Sequence, residues 1–378
     1  MTDIFDFYRD PKKHDDLKAI LDLGAQKHPA GLAQNFLEKD IWVAEVLRLL
    51  YDENLLGAHS TAFKGGTALS KCWKVIERFS EDIDLSIHWS ELAGEPDEIA
   101  AWEQSTQSNS QKKKFRDQQT KLLTEWSGAL VNRLNERLVK YGIDGLRAEL
   151  EPGSKGEKVN IHFPRLSSHD SNYQLDYILL EFGGRNRGRP TVSHKVACYL
   201  SELDELQTIT FPQATVAAYH PGYVLWEKLT ALHQFSTQEK DPDPHRLARH
   251  WYDVDCLLQQ DEFSNALDAT DATDATDATD ATDATDATDA TDAMMNVVTM
   301  KSQRWAQKGV IFEKVLEGRL VLVPEGERLE QIAADHKAAI EGRMFFGVPD
   351  DFETIISRLR EAQDTINASI NSTHPHSI

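Results

Sequence analysis

The stretch Thr61-Ala-Phe-Lys-Gly65-Gly66-Thr67-Ala-Leu-Ser70, continued by Arg78-Phe-Ser-Glu-Asp82-Ile-Asp84-Leu-Ser-Ile87, decides how the chain reads. Thr61-Ala62-Phe63 suits a strand, and Gly65-Gly66 lets the backbone turn tightly and come close to a ligand. Thr67 is placed as a helix N-cap, with Leu69, Trp73 and Ile76 at helical spacing behind it. Free amides and the positive end of that helix would face whatever the glycines admit. Ile83, Leu85 and Ile87 then alternate with Asp82, Asp84 and Ser86, the period of a strand. Alternation sends the three aliphatic side chains to a core and sets both aspartates side by side on the other face.

Two carboxylates on one strand face repel each other unless a cation lies between them. Hard oxygen ligands suit Mg2+, with Mn2+ as a substitute, and such an ion takes its remaining ligands from water and substrate phosphates. A glycine-lined turn beside a paired-acid strand therefore outlines a nucleoside triphosphate (NTP) site. Taken singly, Gly-Gly-Thr reads as a plain turn and Asp-x-Asp as solvated acids on an edge strand. In this order, with a helix between them, they read as a site.

Gly65-Gly66-Thr67 with Asp82 fifteen positions after Thr67 resembles the first motif of the DNA polymerase β-type nucleotidyltransferase superfamily. The fuller wording, Phe63-Lys-Gly-Gly-Thr-Ala-Leu-Ser70 and Glu77-Arg-Phe-Ser-Glu-Asp-Ile-Asp-Leu-Ser86, resembles the AbiEii/MenT toxins of type IV toxin–antitoxin and abortive-infection systems. That resemblance implies an α/β (α+β) fold: a mixed nucleotidyltransferase sheet with flanking helices over 1–215, then a helical domain over 216–378. It also implies NTP as substrate, the tRNA 3′ end or another RNA as acceptor, and a cognate antitoxin protein as partner.

The formal charge of −21 argues against a nucleic-acid partner at first sight, but nine of those charges sit in one repeat from Asp268 to Asp292. Net charge also says little about local patches. Lys112-Lys-Lys-Phe-Arg116 and the group Arg246, Arg249, His250 read as solvated surface, whereas Arg185, Arg187 and Arg189 directly follow a candidate active-site strand. No apolar run approaches membrane-spanning length, so no membrane association is expected. Met1-Thr-Asp-Ile-Phe-Asp6 has no signal-peptide pattern, and three widely spaced cysteines, Cys72, Cys198 and Cys256, fit a reducing compartment. The expected location is the cytoplasm.

Helices are expected over 13–27 and 35–51. In the second, Phe36, Trp42, Val43, Val46, Leu47 and Leu50 form the apolar face and Glu38, Lys39, Asp40, Glu45 and Arg48 lie mostly outside it. Leu37-Glu-Lys-Asp-Ile-Trp-Val43 resembles the leader helix of the AbiEii type; the residues themselves assign it no chemistry. A short helix near Glu98 and an amphipathic helix through Leu122–Leu138, capped by Gly142, follow. Strands are expected over Leu146–Leu150, Lys158–Phe163 and Tyr173–Phe182.

In Leu175-Asp-Tyr-Ile-Leu-Leu-Glu181-Phe-Gly-Gly-Arg185 the odd positions share one face, which places Glu181 on an otherwise apolar surface. A carboxylate there is costly unless paired or metal-bound, although a strand-end glutamate also reaches water easily. The wording resembles the third-acid motif of the family, which implies that Glu181 joins Asp82 and Asp84 as metal ligand and takes the acceptor proton. Asp176, on the opposite face, is the alternative. Gly65, Gly66, Thr67, Ser80 and Arg185 would contact phosphates, and a phosphate on Ser80 itself would put negative charge against the metal.

From Pro221 the pattern turns helical. Trp226-Glu-Lys228 to His233 and Arg249-His-Trp-Tyr252-Asp253 resemble two further family segments, which implies that Lys228 neutralises the triphosphate and that Asp253 holds Lys228 or a substrate group. By the residues alone Lys228 reads as a snorkelling surface lysine, and Asp255 competes with Asp253. Lys228 and His233 are expected to emerge at one edge. Residues 267–293, an Asp-Ala-Thr repeat from Asp268 onward, cannot build a core and read as a disordered insertion. Helices over 297–307, 325–345 and 351–370 close the chain. Two rival readings share the same acids: a small-molecule (antibiotic-type) nucleotidyltransferase, and a non-catalytic nucleotide-binding module acting through a protein partner.

Overall fold

The computed structural model describes residues 1–87, 91–92, 108–167, 175–183, 190–268, 293–302 and 308–373. It divides into two compact units, Met1–Ala218 and Tyr219–Ile378. The short helix expected near Glu98, Arg185–Arg189, the body of the Asp-Ala-Thr repeat and the last five residues lie outside the described residues.

Unit 1 is built on a seven-stranded mixed sheet, in line with the α/β expectation. Its strands are β2 (Thr61–Lys64), β3 (Ile83–Ile87), β4 (Arg147–Leu150), β5 (Lys158–His162), β6 (Tyr177–Gly183), β7 (Thr191–Ala197) and β9 (Gln213–Tyr219). Across the sheet the order is β4-β5-β6-β3-β2-β9-β7, while β1 (Thr2–Asp3) and β8 (Ile209–Thr210) form a separate parallel pair. β2 runs antiparallel to β3, and β3 runs parallel to β6. Ile83, Leu85 and Ile87 are fully buried, so the period-two pattern orients β3 as expected.

The packing helices are α1 (Ile4–Arg9), α2 (His14–Lys27), α3 (Gln34–Tyr51), α4 (Gly65–Lys71) and α5 (Asn109–Leu138). A capping box between Ser108 and Gln111 starts α5, and left-handed Gly142, at φ +63°, closes the turn that follows it. Phe5, Tyr8 and Phe163 gather around Trp42 with ring centroids 4.9 to 5.8 Å away.

α3 departs from its expected amphipathic form. Glu38, Lys39, Asp40 and Glu45 are each at most 2% exposed, and only Arg48 is partly open. Phe36, Leu37, Ile41, Trp42, Val43, Ala44, Val46 and Leu47 surround the whole helix, and a helix apolar on every side is buried on every side. Its charges go inside with it, and each finds partners. Glu38 accepts from the amides of Leu166 (2.8 Å) and Ser167 (3.0 Å), Lys39 meets Glu81, and Asp40 meets Lys71.

Unit 2 is helical: α6 (Pro221–Thr237), α7 (Arg249–Leu258), α8 (Asp261–Asp268), a helical stretch over 293–302, α9 (Glu327–Glu341) and α10 (Phe352–Thr373). Ile355, Ile356, Leu359, Ile366 and Ile370 bury one stripe of α10. His233 does not emerge beside Lys228 but is 1% exposed. It accepts from the Val321 amide at 3.1 Å, and burial pushes its pKa down to about 4. Among the described residues no helix is long and apolar enough to cross a membrane.

Candidate active site

β2 delivers Lys64 to the double glycine, and α4 starts at once. Gly65 has φ +75°, and a Cβ there would lie 1.8 Å from Asp84 Oδ2, so both backbone and space require glycine. A Cβ on Gly66 would lie 2.5 Å from the Arg78 guanidinium and 2.6 Å from Ser80 Oγ. The bend is thus closed around Asp84 of the acidic strand and around Arg78 and Ser80 of the segment that leads into it.

Thr67 is not the N-cap. Lys64 holds that position, so Thr67 is the third residue of α4, in its first turn, with its side chain fully buried. Its hydroxyl donates to the Asp82 carbonyl at 2.5 Å and lies 3.1 Å from Ser80 Oγ, pinning the segment that carries Asp82. α4 also stops earlier than the spacing of Trp73 and Ile76 predicts: it ends at Lys71, and Lys74 turns the chain at φ +54°.

The acids come from two strands that lie far apart in sequence. Asp84 of β3 stands in register with Glu181 of β6 in a parallel pair, so the two carboxylates share one face on neighbouring strands. Lys64 is the register partner of Asp84 on the other side, and Lys158 of β5 is that of Glu181. A row Lys158–Glu181–Asp84–Lys64 therefore crosses the sheet with two anions between two cations. Lys158 Nζ lies 3.5 Å from Glu181 Oε1. Partial burial works against its charge, yet Glu181 and Glu151 hold the ammonium above its ordinary pKa.

Glu181 reaches this row from the open face of β6. The buried face is formed by Ile178, Leu180 and Phe182, while the Glu181 side chain is 40% exposed, so desolvation is not what constrains it. Asp176 precedes the strand and pairs with Arg165 instead. Asp82 lies two residues before Asp84 and is 8% exposed. Among the described residues no three His, Cys, Asp or Glu side chains are gathered closely enough to hold a metal by themselves. Two hard carboxylates facing a glycine bend still fit Mg2+, which commonly binds through one or two carboxylates together with substrate phosphates and water.

In unit 2, Lys228 on α6 donates to Asp253 on α7 at 2.7 Å, with Asp253 fully buried. Asp255 faces Arg358, which grips it through two nitrogens at 2.6 and 2.7 Å, and this separates the roles of the two aspartates. A cavity of about 270 Å³ in unit 1 is lined by Tyr51, His59, Thr61 and Thr191 at the other end of β2 and includes none of the acids.

Residues 48–358 match the family described as nucleotidyl transferase AbiEii toxin, type IV toxin–antitoxin system. The chain belongs to the AbiEii toxin family. As an AbiEii protein it is a nucleotidyltransferase, and the type IV setting brings with it a nucleotide substrate and an antitoxin. A search of curated proteins returned no match. A search of solved structures returned MenT4, the nucleotidyltransferase toxin Rv2826c from Mycobacterium tuberculosis H37Rv. It is 16% identical with a TM-score of 0.45, over 93% of this chain and 98% of that one.

Lys39, Glu81, Lys64 and Lys158 carry much of the geometry around this AbiEii site, and motif reading does not reach them. For Lys39 the signal is present: three consecutive charges in a helix that is apolar on all sides. For Lys158 there is none, because its pairing with Glu181 depends on register.

Proposed function

We propose that this AbiEii protein transfers a nucleoside monophosphate from an NTP to the 3′ end of tRNA in a divalent-cation-dependent reaction, and that this modification arrests translation. The observation that carries the proposal is the pairing of Asp84 with Glu181 beside a glycine that cannot be replaced without striking Asp84. Asp84 and Glu181, with Asp82 two residues away in the chain as a further carboxylate, would hold Mg2+ together with the substrate phosphates; when bound it orients the triphosphate and offsets charge on the attacking and leaving oxygens.

The chain's own residues supply the rest. The amides of Gly65, Gly66 and Thr67 lack partners within α4 at its first turn and are offered to phosphate oxygens. Ser80 adds a hydroxyl next to them, and Arg185 a further cation. Glu181 accepts the proton of the acceptor hydroxyl as its oxygen forms a bond to the α-phosphorus. The bond from that phosphorus to the bridging oxygen breaks, and pyrophosphate leaves. Lys228, held by Asp253, offsets the charge on the departing pyrophosphate.

The experiment is radiolabelled transfer from each NTP to a tRNA pool, with Asp84→Ala protein as control. Label on tRNA with wild-type protein alone supports the proposal. Label found only on small molecules favours an antibiotic-type acceptor, and growth arrest by the Asp84→Ala protein favours a non-catalytic role.

A further inference from the structure

We propose that Lys39 and Glu81 are positioning residues: their buried ion pair locks the segment carrying Asp82 to the start of β6 and so sets the register that brings Asp84 opposite Glu181. The proposal rests on the reading of those acids as the nucleotidyl-transfer site.

Lys39 Nζ lies 2.9 Å from Glu81 Oε2, with the two side chains 1% and 3% exposed. Both ends of the pair also hold the same backbone residue. Lys39 donates to the Leu175 carbonyl at 3.0 Å, and Glu81 accepts from the Leu175 amide at 3.2 Å. Leu175 lies two residues before β6, and Glu81 lies two residues before β3. The lock therefore sits where the two strands begin to run side by side.

Its need follows from topology. β3 and β6 are parallel and far apart in sequence, so no hairpin turn sets their register. A slip of one residue would carry Glu181 to the core face and bring Leu180 or Phe182 beside Asp84. Aliphatic contacts alone tolerate such slips better than a grip on both the amide and the carbonyl of one residue does. The segment is held on the other side too, where the Thr67 hydroxyl binds the Asp82 carbonyl.

The residues flanking Lys39 work in the same manner. Asp40 pairs with Lys71 at 2.5 Å and accepts from the Tyr199 amide at 2.6 Å, and Lys71 donates to the Ala197 carbonyl at 3.1 Å. Glu38 holds the 166–167 segment through its two amides. Three consecutive side chains of α3 thus fasten three separate segments around the site. Stability does not explain the Lys39–Glu81 pair, since replacing a buried ion pair with apolar side chains of similar volume is generally neutral or favourable. Placement does.

The test compares full-length wild type, the Lys39→Met/Glu81→Leu double variant and Glu81→Asp. Thermal unfolding, Mn2+ affinity in the presence of a non-hydrolysable NTP analogue, and transfer kcat and KM are measured for each. The double variant is expected to unfold no earlier than wild type while binding Mn2+ at least about 10-fold more weakly, the usual effect of losing an outer-shell support. Glu81→Asp, which keeps the charge but shortens the reach, is expected to unfold normally and lose about 10-fold in kcat. A double variant that is folded and binds Mn2+ like wild type overturns the assignment. So does one that fails to fold while Glu81→Asp transfers at the wild-type rate. If wild type itself neither binds Mn2+ nor transfers label, the reading of the acids fails first, and the assignment falls with it.

Discussion

Gly65→Ala puts the closest contact in the site under direct strain. The alanine Cβ would sit 1.8 Å from Asp84 Oδ2 and 2.6 Å from its Cγ, so the carboxylate must move by roughly 1.5 Å to reach ordinary contact distance. A displacement of about 1 Å in a reacting constellation costs on the order of 100-fold in rate. Backbone strain is a separate effect: at φ +75° an alanine is disfavoured by roughly 1–2 kcal/mol, partly offset by the lower entropy of its unfolded chain. Gly145→Ala isolates that second effect, because Gly145 has φ +79° and nothing within 4 Å of its Cβ position. Both variants are expected to lose about 1 kcal/mol by denaturant unfolding, and only Gly65→Ala to lose about 100-fold in nucleotide transfer. Equal transfer rates in the two variants, or a Gly65→Ala protein retaining more than about a tenth of wild-type transfer, would refute the close fit of glycine and Asp84.

Glu181→Gln keeps the shape of the side chain but cannot take a proton, so transfer should fall by about 100-fold or more with folding unchanged, as read by single-turnover kinetics. Lys228→Met removes the ammonium bound to the buried Asp253 carboxylate and should destabilise the protein by about 3 kcal/mol, whereas Lys228→Met/Asp253→Leu should recover stability without recovering transfer. His233 is held neutral, burial lowering its folded pKa to about 4 from the ordinary 6.5. The unfolded chain therefore binds a proton first as pH falls, and stability is lost between pH 6.5 and 4, by up to about 3 kcal/mol. His233→Gln should flatten that part of the stability–pH curve, and an unchanged curve would show that His233 titrates normally in the folded state.

The glycine bend and β3 are legible because two local signals agree there, glycines followed by strict alternation, and alternation places Asp84 on the face opposite Ile83, Leu85 and Ile87, whereas Asp82 falls just before the strand. Lys228 and Asp253 were legible as residues, and the structure adds their 2.7 Å contact. α3 misleads because a charged residue in a helix suggests solvent. The apolar residues on all its sides are the stronger signal, and they require Glu38, Lys39 and Asp40 to be buried with partners. That Glu181 joins Asp84 is implied by the family resemblance alone; the register that pairs them, and that pairs Glu181 with Lys158, leaves no local trace in the residues because it is long-range. β7 and β9 escape notice for compositional reasons. Thr191-Val-Ser-His-Lys-Val-Ala197 is an exposed edge, and the small alanines of Gln213-Ala-Thr-Val-Ala-Ala-Tyr219 give a weak period-two signal.

The most direct measurement is anomalous scattering from crystals of the wild-type protein grown with Mn2+ and a non-hydrolysable NTP. A manganese peak within coordination distance of both Asp84 and Glu181, with the triphosphate lying along Gly65 and Gly66, is the expected result. A nucleotide bound with its metal away from that pair, or Asp84 and Glu181 each turned to separate partners in the complex, would contradict the account.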